Sequence, residues 1–109
     1  MSDINEITSQ LIKFRDDRDW SQFHNPKDLA IALNIESAEL LELYLWKSSE
    51  QADIQKVKDE LADIFSFAFL LAEKYSFDVK QIIQEKISKN ALKYTIEKSK
   101  GTSTKYNEL

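Results

Sequence analysis

Cysteine is absent from this 109-residue sequence, and glycine, proline and histidine each occur once. Without cysteine there are no disulfides, thiolate metal ligands or thiol nucleophiles. That fits a reducing cytoplasm, where we place the chain. One glycine and one proline provide too little punctuation for the tight turns of hairpins, sandwiches or barrels, so the chain reads as all-α. No apolar run reaches the ~20 residues of a membrane span, and the first residues lack the basic-then-apolar pattern of a signal peptide. A basic excess is missing too. Fifteen Lys and Arg face nineteen Asp and Glu, a net charge of −4, which argues against nucleic acid or an anionic membrane as partner. A small anion held through a metal remains compatible with that balance.

What is present is helical periodicity in four long stretches, enough for one domain with its own core. The spacing of Ile4, Ile7, Leu11, Ile12 and Phe14 predicts a first helix over Asp3–Asp17, with Asp3 as cap. A loop, Arg18-Asp19-Trp20-Ser21-Gln22-Phe23-His24, carries two large aromatics and the single histidine. Asn25-Pro26 is a cap followed by a first-turn proline and opens a second helix to about Trp46. This helix is apolar nearly all round and is expected to be central and buried. A third helix is predicted from about Ala52 to Tyr75. A fourth, capped by Asp78, is predicted from Val79 to Tyr94, with Val79, Ile82, Ile83, Ile87 and Leu92 turned inward. The fold class is therefore an all-α bundle of four helices. Residues 1–97 form its body, and a small, polar, basic tail over residues 98–109 is expected to be mobile without ligand.

Two acid pairs stand out. Glu36 and Glu39 are three apart on the second helix, and Glu60 and Asp63 are three apart on the third. Residues at that spacing share a helix face, so antiparallel packing would bring four carboxylates together. The plain alternative is a solvated acidic face, with Lys56 and Lys58 as ordinary partners of the second pair. Against it, Glu36 and Glu39 sit among residues that must be buried, and an unpartnered buried carboxylate is costly. A hard divalent cation supplies the missing charge. An all-carboxylate donor set suits Mg2+, with Mn2+ as the alternative, and not zinc. Two-iron helix bundles use Glu-x-x-His, and His24 has no glutamate three residues before it.

Read in order, the motifs resemble the MazG-like all-α nucleoside triphosphate pyrophosphohydrolases, and within them the dCTP pyrophosphatase branch. The resemblance rests on residues 18–26, Glu36-x-x-Glu39, Leu43-Tyr44-Leu45-Trp46-Lys47, Glu60-x-x-Asp63, Lys86-x-x-x-Asn90-x-x-Lys93-Tyr94 and residues 100–106. It implies cleavage of a nucleoside triphosphate between the α and β phosphates, with dCTP or a related pyrimidine deoxynucleotide favoured and nucleotide-pool housecleaning as the role. It implies Mg2+ held by Glu36, Glu39, Glu60 and Asp63, with Glu39 our choice for the group that takes the proton of the attacking water. Trp20 and Trp46 are then expected at the base, His24 at sugar or phosphate, and Lys86, Asn90, Lys93 and Tyr94 at phosphate and sugar. It also implies self-assembly, as a dimer or a tetramer made of paired dimers. One departure is Phe67, where several members carry tyrosine; phenylalanine offers no hydrogen bond. The rival readings are a non-catalytic helical adaptor and a Mg2+-dependent nucleotide-binding protein without turnover.

Overall fold

The computed structural model describes residues 2–109. The described residues are helical throughout their regular structure and form two compact units, 1–77 and 78–109.

The first unit holds three long helices. Helix α1 spans Asp3–Asp17, α2 spans Pro26–Glu42 and α3 spans Ile54–Lys74. Each begins at a side-chain cap. The cap of α1 is Ser2 and not Asp3: Ser2 Oγ accepts from the Asn5 N–H at 3.1 Å, which leaves Asp3 and Glu6 in the first turn, where acids favour the helix dipole. Asn25 caps α2 reciprocally. Its Oδ1 accepts from the Asp28 N–H at 2.9 Å and its Nδ2 donates to Asp28 Oδ2 at 2.7 Å, with Pro26 as the first helical residue. Asp53 caps α3 by accepting from the N–H groups of Gln55 and Lys56.

Helix α2 ends at Glu42, one turn short of the predicted Trp46. Leu43, Tyr44 and Leu45 donate to carbonyls three residues back, which tightens the helix end. The chain then reverses at Trp46, whose φ of 62° puts a bulky side chain in the left-handed region. Ser48 and Gln51 close a capping box that starts a short 3-10 turn over Ser49–Gln51. This short connection folds α2 back along α3, and the two pack against each other along their length; α1 packs on α3.

The core of this unit is small. Leu29 is 1% exposed, and Ala52, Leu70 and Ala72 are also buried. The expectation that α2 is buried on all sides is corrected here. Ile31, Ile35 and Leu41 are exposed, because α3 covers only one side of the helix.

The second unit contains α4, Val79–Lys93, capped by Asp78, whose side chain accepts from the Gln81 N–H at 2.9 Å. A single-turn helix, α5, follows over Ile96–Ser99, and a 3-10 turn closes the chain at Tyr106–Glu108. Ile82, Ile83, Ile87 and Leu92 are exposed, contrary to the inward face predicted for them. Tyr106 lies edge-on to Tyr94 at 5.9 Å, and Lys93 Nζ sits 4.8 Å from the Tyr106 ring. No helix among the described residues is long and apolar enough to cross a membrane.

Candidate metal centre and adjoining cavity

Glu36 sits as far before the end of α2 as Glu60 sits after the start of α3. Folding one helix back on the other therefore brings the two to the same level. Each side chain of Glu36, Glu60 and Asp63 offers an oxygen within 4.8 Å of the others. Glu36 Oε2 and Glu60 Oε2 are buried and have no hydrogen-bond partner, while Asp63 is exposed at the edge. Glu39 falls outside this set of three, yet is close enough to Glu36 to affect its ionisation. The Glu36 carboxyl is pushed up to about 7, first by burial, then by its closeness to Glu60 and Glu39 and by the charge of Asp63. No Lys or Arg of the described residues forms an ion pair with these acids.

Two orphaned carboxylate oxygens facing a third carboxylate are what a divalent cation would satisfy. Unpaired, they carry a desolvation cost with nothing to offset it. The donors are all hard oxygens, so the residues fit Mg2+ or Mn2+ and offer nothing to a soft metal.

Asp63 has a second neighbourhood. It lines a cavity of about 360 Å3 together with Leu11, Phe14, Arg15, Trp20, His24, Ser66, Phe67 and Leu70. The cavity is bounded by α1, α3 and the loop after α1. That loop is held by local bonds. Asp19 takes a φ of 55°, the Trp20 N–H donates to the Arg15 carbonyl at 3.0 Å, and the Gln22 amide donates to the Asp19 carbonyl at 2.9 Å. Trp20 meets Phe14 edge-on at 5.9 Å, and Arg18 stacks on Phe14 with its guanidinium 3.6 Å from the ring centre. His24 lies edge-on to Phe67 at 6.4 Å. Burial, and then the charges of Arg15 and Lys74, lower the His24 pKa, so its ring is neutral at pH 7.

The structure thus brings together Glu36, Glu60 and Asp63, and places Trp20 and His24 in a cavity that shares Asp63. Trp46 does not line that cavity; it is 99% exposed. Lys86, Asn90, Lys93 and Tyr94 belong to the second unit, where Lys93 and Tyr94 engage Tyr106 and the Asn90 carbonyl accepts from the Tyr94 N–H. Sequence reasoning missed Arg15 and Ser66 as cavity residues. The signal for Arg15 was available: it stands four residues after Leu11, a charge in register with the apolar stripe of α1.

Residues 31–109 match the MazG-like family. The dCTP pyrophosphatase 1 of Mus musculus is 32% identical over 114 aligned residues, covering 97% of this chain and 67% of that protein. The Homo sapiens protein of the same name is 30% identical over the same shares. The crystal structure of a pyrophosphatase from Archaeoglobus fulgidus superposes with a TM-score of 0.81 at 31% identity, covering 87% of this chain and 94% of that one.

Proposed function

The chain belongs to the MazG-like family, and from that premise we propose that it is a nucleoside triphosphate pyrophosphohydrolase favouring dCTP or a related pyrimidine deoxynucleotide. The observation that carries the reading is one shared residue. Asp63 belongs both to the carboxylate cluster and to the lining of the aromatic cavity. A base in the cavity therefore leaves its phosphates beside the acids.

Glu36, Glu60 and Asp63 would hold the divalent ion, Mg2+ in our reading. Such an ion neutralises phosphate charge and lowers the pKa of the water it binds. The rest falls to the chain's own groups. Glu39, next to the cluster but outside the set of three, takes the proton of the water that attacks the α phosphorus. Trp20 provides a face for the base; stacking on an aromatic ring contributes roughly 1–3 kcal/mol. Phe14, also in the cavity lining, meets the indole edge-on, and Arg18 stacks on Phe14. His24 lines the same cavity with its Nδ1 buried and without a partner, and in our reading the neutral ring is available to hydrogen-bond the sugar or a phosphate. For Lys86, Asn90, Lys93 and Tyr94 as phosphate and sugar contacts, and for Trp46 at the base, the support is the family resemblance alone.

Self-association is part of the reading. Ile31, Ile35 and Leu41 on α2 and Ile54, Leu61 and Phe65 on α3 are exposed apolar side chains on the first unit. Their number on two packed helices is what supports an interaction surface there. A second copy is the occupant we propose, as a dimer or a tetramer of paired dimers. Nucleotide-pool housecleaning in the cytoplasm is the corresponding role.

The test is a panel of ribo- and deoxynucleoside triphosphates assayed for pyrophosphate with Mg2+. Pyrophosphate is expected from dCTP at the highest kcat/KM. A panel that yields none, with nucleotides still binding, would favour a sensor without turnover.

A further inference from the structure

Arg15 is the one charged residue buried in the described chain, at 6% exposure, and its side chain lines the cavity. Its placement is costly. Removing a guanidinium from water costs several kcal/mol, and ion pairs often fail to recover it. Two bonds hold it: Nε donates to Asp16 Oδ1 at 2.9 Å and one terminal nitrogen, Nη1, donates to Glu73 Oε2 at 3.2 Å. A guanidinium has five N–H groups, so most of its donor capacity is uncommitted among the described residues. If tying α1 to α3 were its whole purpose, an apolar pair of similar volume would do so at lower cost.

The other polar wall of the cavity is complementary. Ser66 gives its hydroxyl proton to the Ala62 carbonyl at 2.7 Å, so the oxygen can only accept from a ligand. The cavity thus pairs a strong donor, Arg15, with an acceptor, Ser66; Asp63 joins it to the carboxylate cluster, and the rest of the lining is His24 with apolar and aromatic side chains. We propose that Arg15 is a specificity-determining residue that reads the base, donating to ring N3 and the C2 carbonyl of cytosine while Ser66 accepts from the exocyclic amine. Thymine and uracil carry a proton on N3, so they offer Arg15 one acceptor fewer and give Ser66 a carbonyl where it needs a donor. Glu73 and Asp16 orient the guanidinium and balance its charge. This inference rests on the cavity being the base site of the proposed enzyme, and it adds which residues choose the base.

Calorimetric binding of dCMP and dTMP to the full-length protein tests it without requiring turnover. Wild type should bind dCMP more tightly than dTMP. Arg15→Met, which keeps most of the volume and removes the donors, should weaken dCMP on the order of 5- to 150-fold, the discrimination a bidentate base contact provides, and change dTMP far less. Should Arg15→Met fail to fold, Arg15→Lys carries the test. It keeps the charge beside Glu73 but loses the planar fork, so the dCMP-to-dTMP preference should fall there too. A purely structural Arg15 would weaken both ligands equally and leave their ratio intact. That result, or a wild type binding both ligands equally, would overturn the inference. Pyrophosphate assays on the same samples separate the two readings: lost base preference without wild-type turnover indicts the enzyme reading, and intact turnover with an unchanged ratio indicts only Arg15.

Discussion

Glu60→Gln is expected to lower kcat for dCTP hydrolysis by at least about a hundredfold while leaving the protein folded. Loss of residues that only support a metal ligand costs roughly 10–100-fold, and Glu60 stands in the donor set itself. Its Oε2 is buried without a hydrogen-bond partner, and its carboxylate offers an oxygen within 4.8 Å of oxygens from Glu36 and Asp63. The amide keeps the shape and removes the charge that would face the cation. Removing one of several like charges should leave the metal-free protein as stable as before, or more so. Asp59→Asn is the matched control. Asp59 is the preceding residue, is exposed, and accepts from the Gln55 amide at 3.3 Å on another face of α3. Its activity should stay within about twofold of wild type. Parallel kinetics and thermal melts of the two variants decide the matter. Equal activity in both would return the acid pairs to the solvated face that competes with the metal reading.

The second large effect is on stability. A cation that binds the folded cluster and not the unfolded chain stabilises by RT ln(1 + [L]/Kd), about 2.7 kcal/mol at a hundredfold excess over Kd. For a domain of this size that raises Tm on the order of 10 °C, and by less in an oligomer. The size of the shift should depend on pH. Glu36 titrates near pH 7 in the folded protein, above the 4.5 of a free glutamate. Between those values the folded state binds more protons than the unfolded state, so the metal-free protein loses stability as pH rises through about 7. Metal needs the ionised carboxylate and competes with that proton. The Mg2+-induced shift should therefore be small near pH 5 and full by pH 8. Melts with Mg2+ and with a chelator across that range check this, and a shift independent of pH would place the binding site elsewhere.

The sequence carried the helices well because their starts are local chemistry. Asn25 with Pro26 and Asp78 cap the helices predicted from them. Ser2 displaced Asp3 because either residue can accept the same N–H groups, and only the backbone decides between them. Three of the four expected carboxylates, Glu36, Glu60 and Asp63, come together as their spacing and the short connection between the helices suggest, whereas Glu39, at the same spacing from Glu36, stays outside the set. What failed to show depends on distant residues. That α2 stops at Glu42, that Trp46 turns outward with a positive φ, and that Ile83 and Ile87 stay exposed are consequences of which surfaces find a partner. Apolar periodicity states that a face wants cover without saying whether this chain or another provides it. Arg15 carried a local signal in its register with Leu11, but its partner Glu73, 58 residues away, could not be read from the sequence.

In the reading proposed above, these acids and this cavity hydrolyse a nucleoside triphosphate at its α phosphorus. Hydrolysis of dCTP with Mg2+ in heavy-oxygen water, followed by mass spectrometry of both products, tests it directly. The heavy oxygen should appear in the monophosphate, with none in the pyrophosphate, and turnover should stop on chelation. Label in pyrophosphate or in orthophosphate, or turnover that survives chelation, would contradict it.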